Sequence, residues 1–181
     1  MIFIFLLWFI VTTSILILFF ESMIRGHDLP TSGRAIRYLL DAVAQHKPDA
    51  KTFYDLGCGH GRVVLAVKKR YPNIDVRGID NGRVRIFFAK VMAFLLHRKV
   101  ILKRQDIFDL DFKDADIVYT YLWYDLMPIL EQKLQKELKS GAIVITNTSH
   151  FQNWQSVEQM ITCPKKPKTS DFETLFIYRK A

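Results

Sequence analysis

The 181-residue sequence predicts an α/β fold, a mostly parallel sheet with an antiparallel edge, behind an N-terminal transmembrane helix. Three observations carry this. Beyond residue 50, short apolar runs alternate with helical patterns, as in parallel strands joined by crossover helices. At 53–62, Phe-Tyr-Asp-Leu-Gly-Cys-Gly-His-Gly-Arg joins one such run to a helix through glycines at alternate positions. Residues 2–20 carry no charge and are rich in Ile, Leu and Phe, long enough to cross a bilayer as a helix.

The N-terminal run reads as an anchor and not a signal peptide. No Lys or Arg precedes it, and no small-x-small cleavage site follows in Phe19-Phe20-Glu21-Ser22-Met23. Arg25, Arg34, Arg37 and Lys47 follow it, so the positive-inside rule places the rest of the chain on the cytoplasmic side of a single-pass membrane protein. The domain division is therefore 1–21 anchor, 22–32 link with Gly26 and Pro30 as punctuation, and 33–181 folded domain. Thr31 or Ser32 can cap a helix in which Ile36, Leu39, Leu40 and Val43 fall at helical spacing. Lys47-Pro48-Asp49 ends it.

After the glycines, 62–71 reads as the first crossover helix, stopped by Pro72-Asn73. Residues 76–82 hold a second strand ending in Asp80, and 82–97 a second helix. That helix presents Val84, Phe87, Phe88, Val91 and Leu95 on one face, read as the face packed on the sheet. Strands follow at 100–104, 115–122 and 142–148, with a helix at 126–138 that Asp125 can cap and Pro128 can open. Segments 156–163 and 173–179 flank a Lys-Lys-Pro-Lys turn and pair antiparallel at the sheet edge. No internal repeat or low-complexity segment interrupts this order.

Composition narrows the chemistry. The length suits one domain with a real core, and the mean hydropathy of +0.07 is raised largely by the first twenty residues. Two cysteines, Cys58 and Cys163, make no framework, and with no Cys pair, His cluster or carboxylate cluster no metal site is expected. The net charge is +8, and between Arg62 and Arg104 ten basic residues stand against Asp75 and Asp80. Such a field attracts anionic surfaces. Beside an anchor the membrane surface is the expected partner, and no nucleic-acid recognition module is present.

The glycine spacing is informative. In a dinucleotide fingerprint, Gly-x-Gly-x-x-Gly, the third glycine would fall where Arg62 stands. Asp55-x-Gly57-x-Gly59-x-Gly61 instead resembles the first motif of the class I methyltransferases that use S-adenosylmethionine, in which this loop runs under the amino-acid half of the cofactor. Asp80, with Asn81 beside it, ends the second strand, where an acid can accept ribose hydroxyls. The resemblance further implies that Asp106 binds the adenine amino group and Ile107 bonds the ring through its backbone. It implies a Rossmann-like class I methyltransferase sheet with S-adenosyl-L-methionine as cofactor.

The fourth strand ends in Tyr119-Thr120-Tyr121-Leu122-Trp123-Tyr124-Asp125, which faces the reacting methyl group if ligands bind at the carboxyl ends of the strands. Methyl transfer needs alignment, exclusion of water and a neutral nucleophile. Aromatic faces favour a methylammonium or sulfonium, so Tyr121, Trp123 and Tyr124 are candidate walls. Asp125 is a candidate to orient or deprotonate an ammonium.

Asp116-Ile117-Val118, then Leu126-Met127-Pro128-x-Leu130-Glu131-x-Lys133-Leu134-x-x-Glu137-Leu138, then Ala142-x-Val144-Ile145 and Trp154 resemble a narrower family. These are the mitochondrial seven-β-strand lysine methyltransferases of the adenine nucleotide translocase and the ATP synthase c-subunit. The resemblance implies a protein-lysine N-methyltransferase with a protein substrate at the membrane. The chain departs from that family at His60, at Ile79-Asp80-Asn81 and at Trp123-Tyr124-Asp125. The last departure lies at the substrate end and keeps two alternatives open. One is a lipid-phase acceptor such as a quinone precursor or headgroup. The other is a non-catalytic cofactor-binding partner of a membrane protein.

Overall fold

The chain opens with a continuous helix, α1 (Ile2–Ile24), and resumes with α2 (Gly33–His46). Then come β1 (Thr52–Leu56), α3 (Arg62–Arg70), β2 (Asp75–Asp80), α4 (Arg83–Leu95) and β3 (Ile101–Arg104). β4 (Ile117–Thr120), α5 (Met127–Glu137), β5 (Ile143–Asn147), β6 (Glu158–Ile161) and β7 (Thr174–Arg179) complete it. This computed structural model describes residues 1–24, 29–163 and 173–181, the side chains of 17–24 excepted.

The strands form one sheet in the order β3-β2-β1-β4-β5-β7-β6. β1 to β5 are parallel, while β7 runs antiparallel between β5 and β6. Every residue of β4 and β5 is buried, because helices cover both faces of the parallel part. Phe53, Tyr119 and Ile145 pack under α2, α3 and α4, whereas Tyr54, Leu56 and Val118 pack under α5. The seven-stranded, Rossmann-like α/β sheet is thus as the sequence predicts.

Two local expectations change, and a third is narrowed to one of its two candidates. The face of α4 that meets the sheet is Ile86, Ala89 and Ala93, and Phe87, Phe88, Val91 and Leu95 are exposed. The cause is close helix packing: a Cβ built on Gly61 would lie 3.1 Å from the Ala89 Cβ, so only small residues fit there. Asp125 caps nothing. A 3₁₀ turn, Tyr124–Leu126, precedes α5, whose N-cap is Leu126 with no side-chain hydrogen bond. At α2 the cap is Ser32, whose Oγ accepts the Ala35 N–H at 3.1 Å, and Thr31 is used elsewhere.

The expected membrane-spanning run, 2–20, lies in α1. The side chains described there end at residue 16, and among the described residues no helix is long and apolar enough to cross a membrane. Arg25 and Gly26 of the expected link, and the Lys-Lys-Pro-Lys turn, lie outside the described residues.

Candidate active site

A cavity of about 560 Å³ opens at the carboxyl ends of β1, β2 and β4, the position at which open parallel sheets bind ligands. The loop from β1 to α3 forms its floor. Gly57, Gly59 and Gly61 all have positive φ (76°, 52° and 79°), which lets five residues reverse the chain. They are not equivalent. At Gly61 a Cβ would press on α4, and at Gly57 on Leu122. Gly59 lines the cavity, and a Cβ there would meet nothing within 4 Å. It leaves open space against bare backbone.

Two acids sit beside this floor. Asp80 is 4% exposed. Its Oδ2 accepts the Gly59 N–H at 2.9 Å, and its Oδ1 accepts the Gly82 N–H at 2.7 Å and Arg85 Nε at 2.9 Å. The end of β2 is therefore fastened to the glycine loop of β1. A carboxylate offers about four acceptor sites, so an acceptor position remains after these three bonds. Asp55 is buried as well, and burial first, then the Asp80 carboxylate, pushes its carboxyl up to about 8. Near neutral pH it is therefore largely protonated. Burial likewise raises the Cys58 thiol well above its ordinary value, which makes it an unreactive packing residue.

The opposite wall is aromatic. Tyr121, Leu122, Trp123 and Tyr124 line the cavity, with Trp123 and Tyr124 more than half exposed at its mouth. Tyr124 is held by its hydroxyl, which donates to the Thr148 carbonyl at 3.1 Å, and its ring lies 6.1 Å from that of His150. Ser149 Oγ donates to the Leu122 carbonyl at 2.7 Å, so the turn after β5 fixes the turn after β4. Thr148 takes φ 63° to make that bend.

A buried polar network closes the cavity from the side of α2. The hydroxyls of Thr31 and Tyr119 lie 2.9 Å apart, and Asn147 Nδ2 donates to Tyr119 Oη at 3.3 Å and to Glu173 Oε1 at 2.7 Å. Glu173 also accepts the Ser32 N–H at 3.2 Å. Residues 29–31, which lie on the cavity wall, are thereby tied to β4, β5 and the start of β7. Burial pushes the Tyr119 phenol far up, so it stays a neutral hydroxyl in this network.

Among the sequence-predicted residues, the cavity brings together Asp55, Gly57, Gly59, Asp80, Tyr121, Trp123 and Tyr124. Gly61 instead packs α3 on α4. Asn81 is exposed outside the lining, with its Oδ1 accepting from Arg85 and its carbonyl from Arg104. Asp106 is exposed and caps a short turn through the Phe108 N–H at 2.9 Å, and Ile107 is buried in the core. Asp125 is exposed outside the lining. His60, Arg62, Thr148 and Ser149 were not predicted but line the cavity. Their signal is positional: His60 and Arg62 follow β1 through the glycine loop, and Thr148 and Ser149 follow β5. Among the described residues no group of His, Cys, Asp and Glu is arranged to hold a metal.

The profile of the ANTKMT methyltransferase domain matches residues 55–158. A protein-lysine N-methyltransferase of Saccharolobus islandicus is 26% identical over 132 residues, which cover 72% of this chain and 81% of that protein. The adenine nucleotide translocase lysine N-methyltransferase of Mus musculus is 26% identical over 132 residues, 72% of this chain and 57% of that protein. A carboxy-S-adenosyl-L-methionine synthase of Campylobacter fetus is 29% identical over 140 residues, 70% and 59% respectively. The chain thus spans somewhat over half the length of the last two. Among solved structures, an RNA methyltransferase from Salinibacter ruber in complex with S-adenosyl-L-homocysteine aligns with a TM-score of 0.72 at 20% identity, over 83% of this chain and 93% of that one. That is a likeness of fold. The residues present fit S-adenosylmethionine: open space against Gly59, a carboxylate with an acceptor position to spare, and aromatic faces for a sulfonium.

Proposed function

Because the chain belongs to the ANTKMT methyltransferase domain family, we propose that this S-adenosylmethionine-dependent methyltransferase acts on the side-chain amine of a lysine in a membrane-associated protein. The observation that carries the reading is the polarity of the cavity. Acids and bare backbone lie at one end, and an aromatic mouth lies at the other. The relatives named for lysine N-methylation support the choice of acceptor.

The cofactor, when bound, supplies an electrophilic methyl group on a sulfonium. Asp80 would accept ribose hydroxyls, and the backbone at Gly57 and Gly59, with Asp55 beside it, would hold the amino-acid half. Asp106 and Ile107, which lie outside the cavity lining beyond the end of β3, would hold the adenine. Tyr121, Trp123 and Tyr124 hold the incoming ammonium against their faces and keep water out. Asp125 attracts that ammonium from outside the mouth. The carboxylates lining the cavity, among the described residues, are Asp55 and Asp80, both at the cofactor end. The lysine, with an ordinary pKa of about 10.4, therefore sheds its proton by desolvation in the aromatic mouth. The rate should climb steadily with pH through 8 and 9.

Residues 2–20 are assigned as a single-pass anchor with the catalytic domain on the cytoplasmic side. Support comes from the uncharged run, the exposed apolar side chains of α1 from Ile2 to Leu16, and Arg34, Arg37 and Lys47 beyond it. The test uses methyl-tritiated S-adenosylmethionine with the full chain and host membranes that lack it. Counts in a protein band that hydrolyses to methyl-lysine are expected. Counts in the organic extract would move the acceptor to a lipid-phase small molecule, and no counts with cofactor binding intact would leave a binding partner.

A further inference from the structure

We propose that the outer face of α4 seats the catalytic domain on an anionic lipid surface. Phe87, Phe88, Phe94 and Leu95 are 60%, 45%, 81% and 61% exposed, and Val91, Met92 and Leu96 are exposed beside them. The sheet side of the helix is already filled by Ile86, Ala89 and Ala93. α4 is thus apolar on both sides, a pattern that water does not tolerate without a covering surface.

Two features select lipid as that surface. The first is the charge around the patch. Arg83 and Lys90 lie on α4, Arg98 and Lys99 follow its end, and Lys103 lies on β3, the neighbouring edge strand. Among the described residues none of the five is in an ion pair, and α4 carries no acid. Aromatic and leucine side chains bordered by unpaired Lys and Arg are the composition of helices that lie in the headgroup region of anionic bilayers. The second is continuity with the cavity. The Phe88 ring lies 6.1 Å from the ring of His60, which lines the cavity. A domain resting on α4 therefore holds its cavity at the height of a lysine just outside the bilayer. The inference rests on the membrane reading above for the nature of the surface, yet it concerns a different element from α1.

The test uses the full chain carrying F94C, labelled with an environment-sensitive nitrobenzoxadiazole dye. K136C, on α5 across the sheet, is the control. Cys58 and Cys163 are buried, and unsubstituted protein gives the background. Vesicles of phosphatidylcholine, with or without phosphatidylglycerol, carry a nitroxide-lipid quencher. With phosphatidylglycerol, the dye at 94 should shift to the blue and lose at least half its emission to the quencher, and the dye at 136 should do neither. Without it, quenching at 94 should fall at least twofold. Vesicles that float with the protein while the dye at 94 stays unquenched would overturn the α4 surface and leave the anchor standing. Failure to float with phosphatidylglycerol vesicles would overturn both the α4 surface and the anchor. Equal quenching in both lipids would overturn the role of the basic residues. A blue shift without lipid, in a species of dimer mass, would assign the face to a second copy and overturn the proposal.

Discussion

Replacing Gly59 and Gly61 by alanine separates ligand contact from packing within one five-residue loop. Both residues have positive φ, 52° and 79°, so each variant carries the left-handed cost of about 1–2 kcal/mol. In a chain of 181 residues that lowers the melting temperature by roughly 2–8 °C. Gly61→Ala adds a Cβ 3.1 Å from the Ala89 Cβ and 3.6 Å from its Cα. Overpacking α3 against α4 then costs about 1–3 kcal/mol more. Gly59→Ala adds no such contact, because nothing lies within 4 Å of its Cβ, but the methyl takes space along the cavity floor. Calorimetric titration with S-adenosylhomocysteine should show affinity falling tenfold or more for Gly59→Ala, about 1.4 kcal/mol. It should change less than threefold for Gly61→Ala, which in turn should melt at the lower temperature. A Gly59→Ala protein that binds as tightly as the original chain would refute the assignment of this loop to the ligand.

Three further outcomes follow from the same geometry. Asp55, pushed up to about 8 from an ordinary 3.8, keeps in the folded state a proton that the unfolded chain releases between those values. Stability should therefore decline as pH rises from about 4 to 8, and Asp55→Asn should flatten that slope in denaturant titrations; an unchanged slope would assign it to another group. Asp116 behaves oppositely: burial would raise its carboxyl, but Lys139 Nζ at 2.6 Å and the N–H groups of Lys51 and Thr52 hold it below the ordinary carboxylate range. Its contribution is present above the unfolded pKa near 4 and is lost as pH falls through the folded value, so Asp116→Asn should destabilise at pH 7 and progressively less as pH falls below 4. Tyr119→Phe leaves Thr31 and Asn147 without their shared hydroxyl, and should cost about 1–3 kcal/mol in melts while loosening residues 29–31 in hydrogen exchange.

The succession of strands and crossover helices along the chain and the glycine loop were legible because each rests on local spacing. Asp55 and Asp80 were legible for the same reason, as acids ending apolar runs. The face of α4 was not. With Phe87, Phe88 and Leu95 opposite Ile86, Ala89 and Ala93, hydrophobic periodicity has two solutions, and only the close approach of Gly61 decides between them. The cap at Asp125 failed because a 3₁₀ turn displaced the start of α5 by one residue, from Leu126 to Met127. The network joining Thr31, Tyr119, Asn147 and Glu173 had no local signal at all, since Thr31 and Tyr119 are 88 residues apart and Ser32 and Glu173 are 141 apart.

The central claim is that the reacting methyl group meets the aromatic wall after β4. Ultraviolet photolabelling with methyl-tritiated S-adenosylmethionine, followed by tryptic mapping, addresses it directly. Cleavage after Lys113 and Lys133 releases residues 114–133, which hold Tyr121, Trp123 and Tyr124 together. Most of the bound label should fall in that peptide and be displaced by excess S-adenosylhomocysteine. Label spread over peptides that do not line the cavity, or indifferent to the competitor, would contradict it.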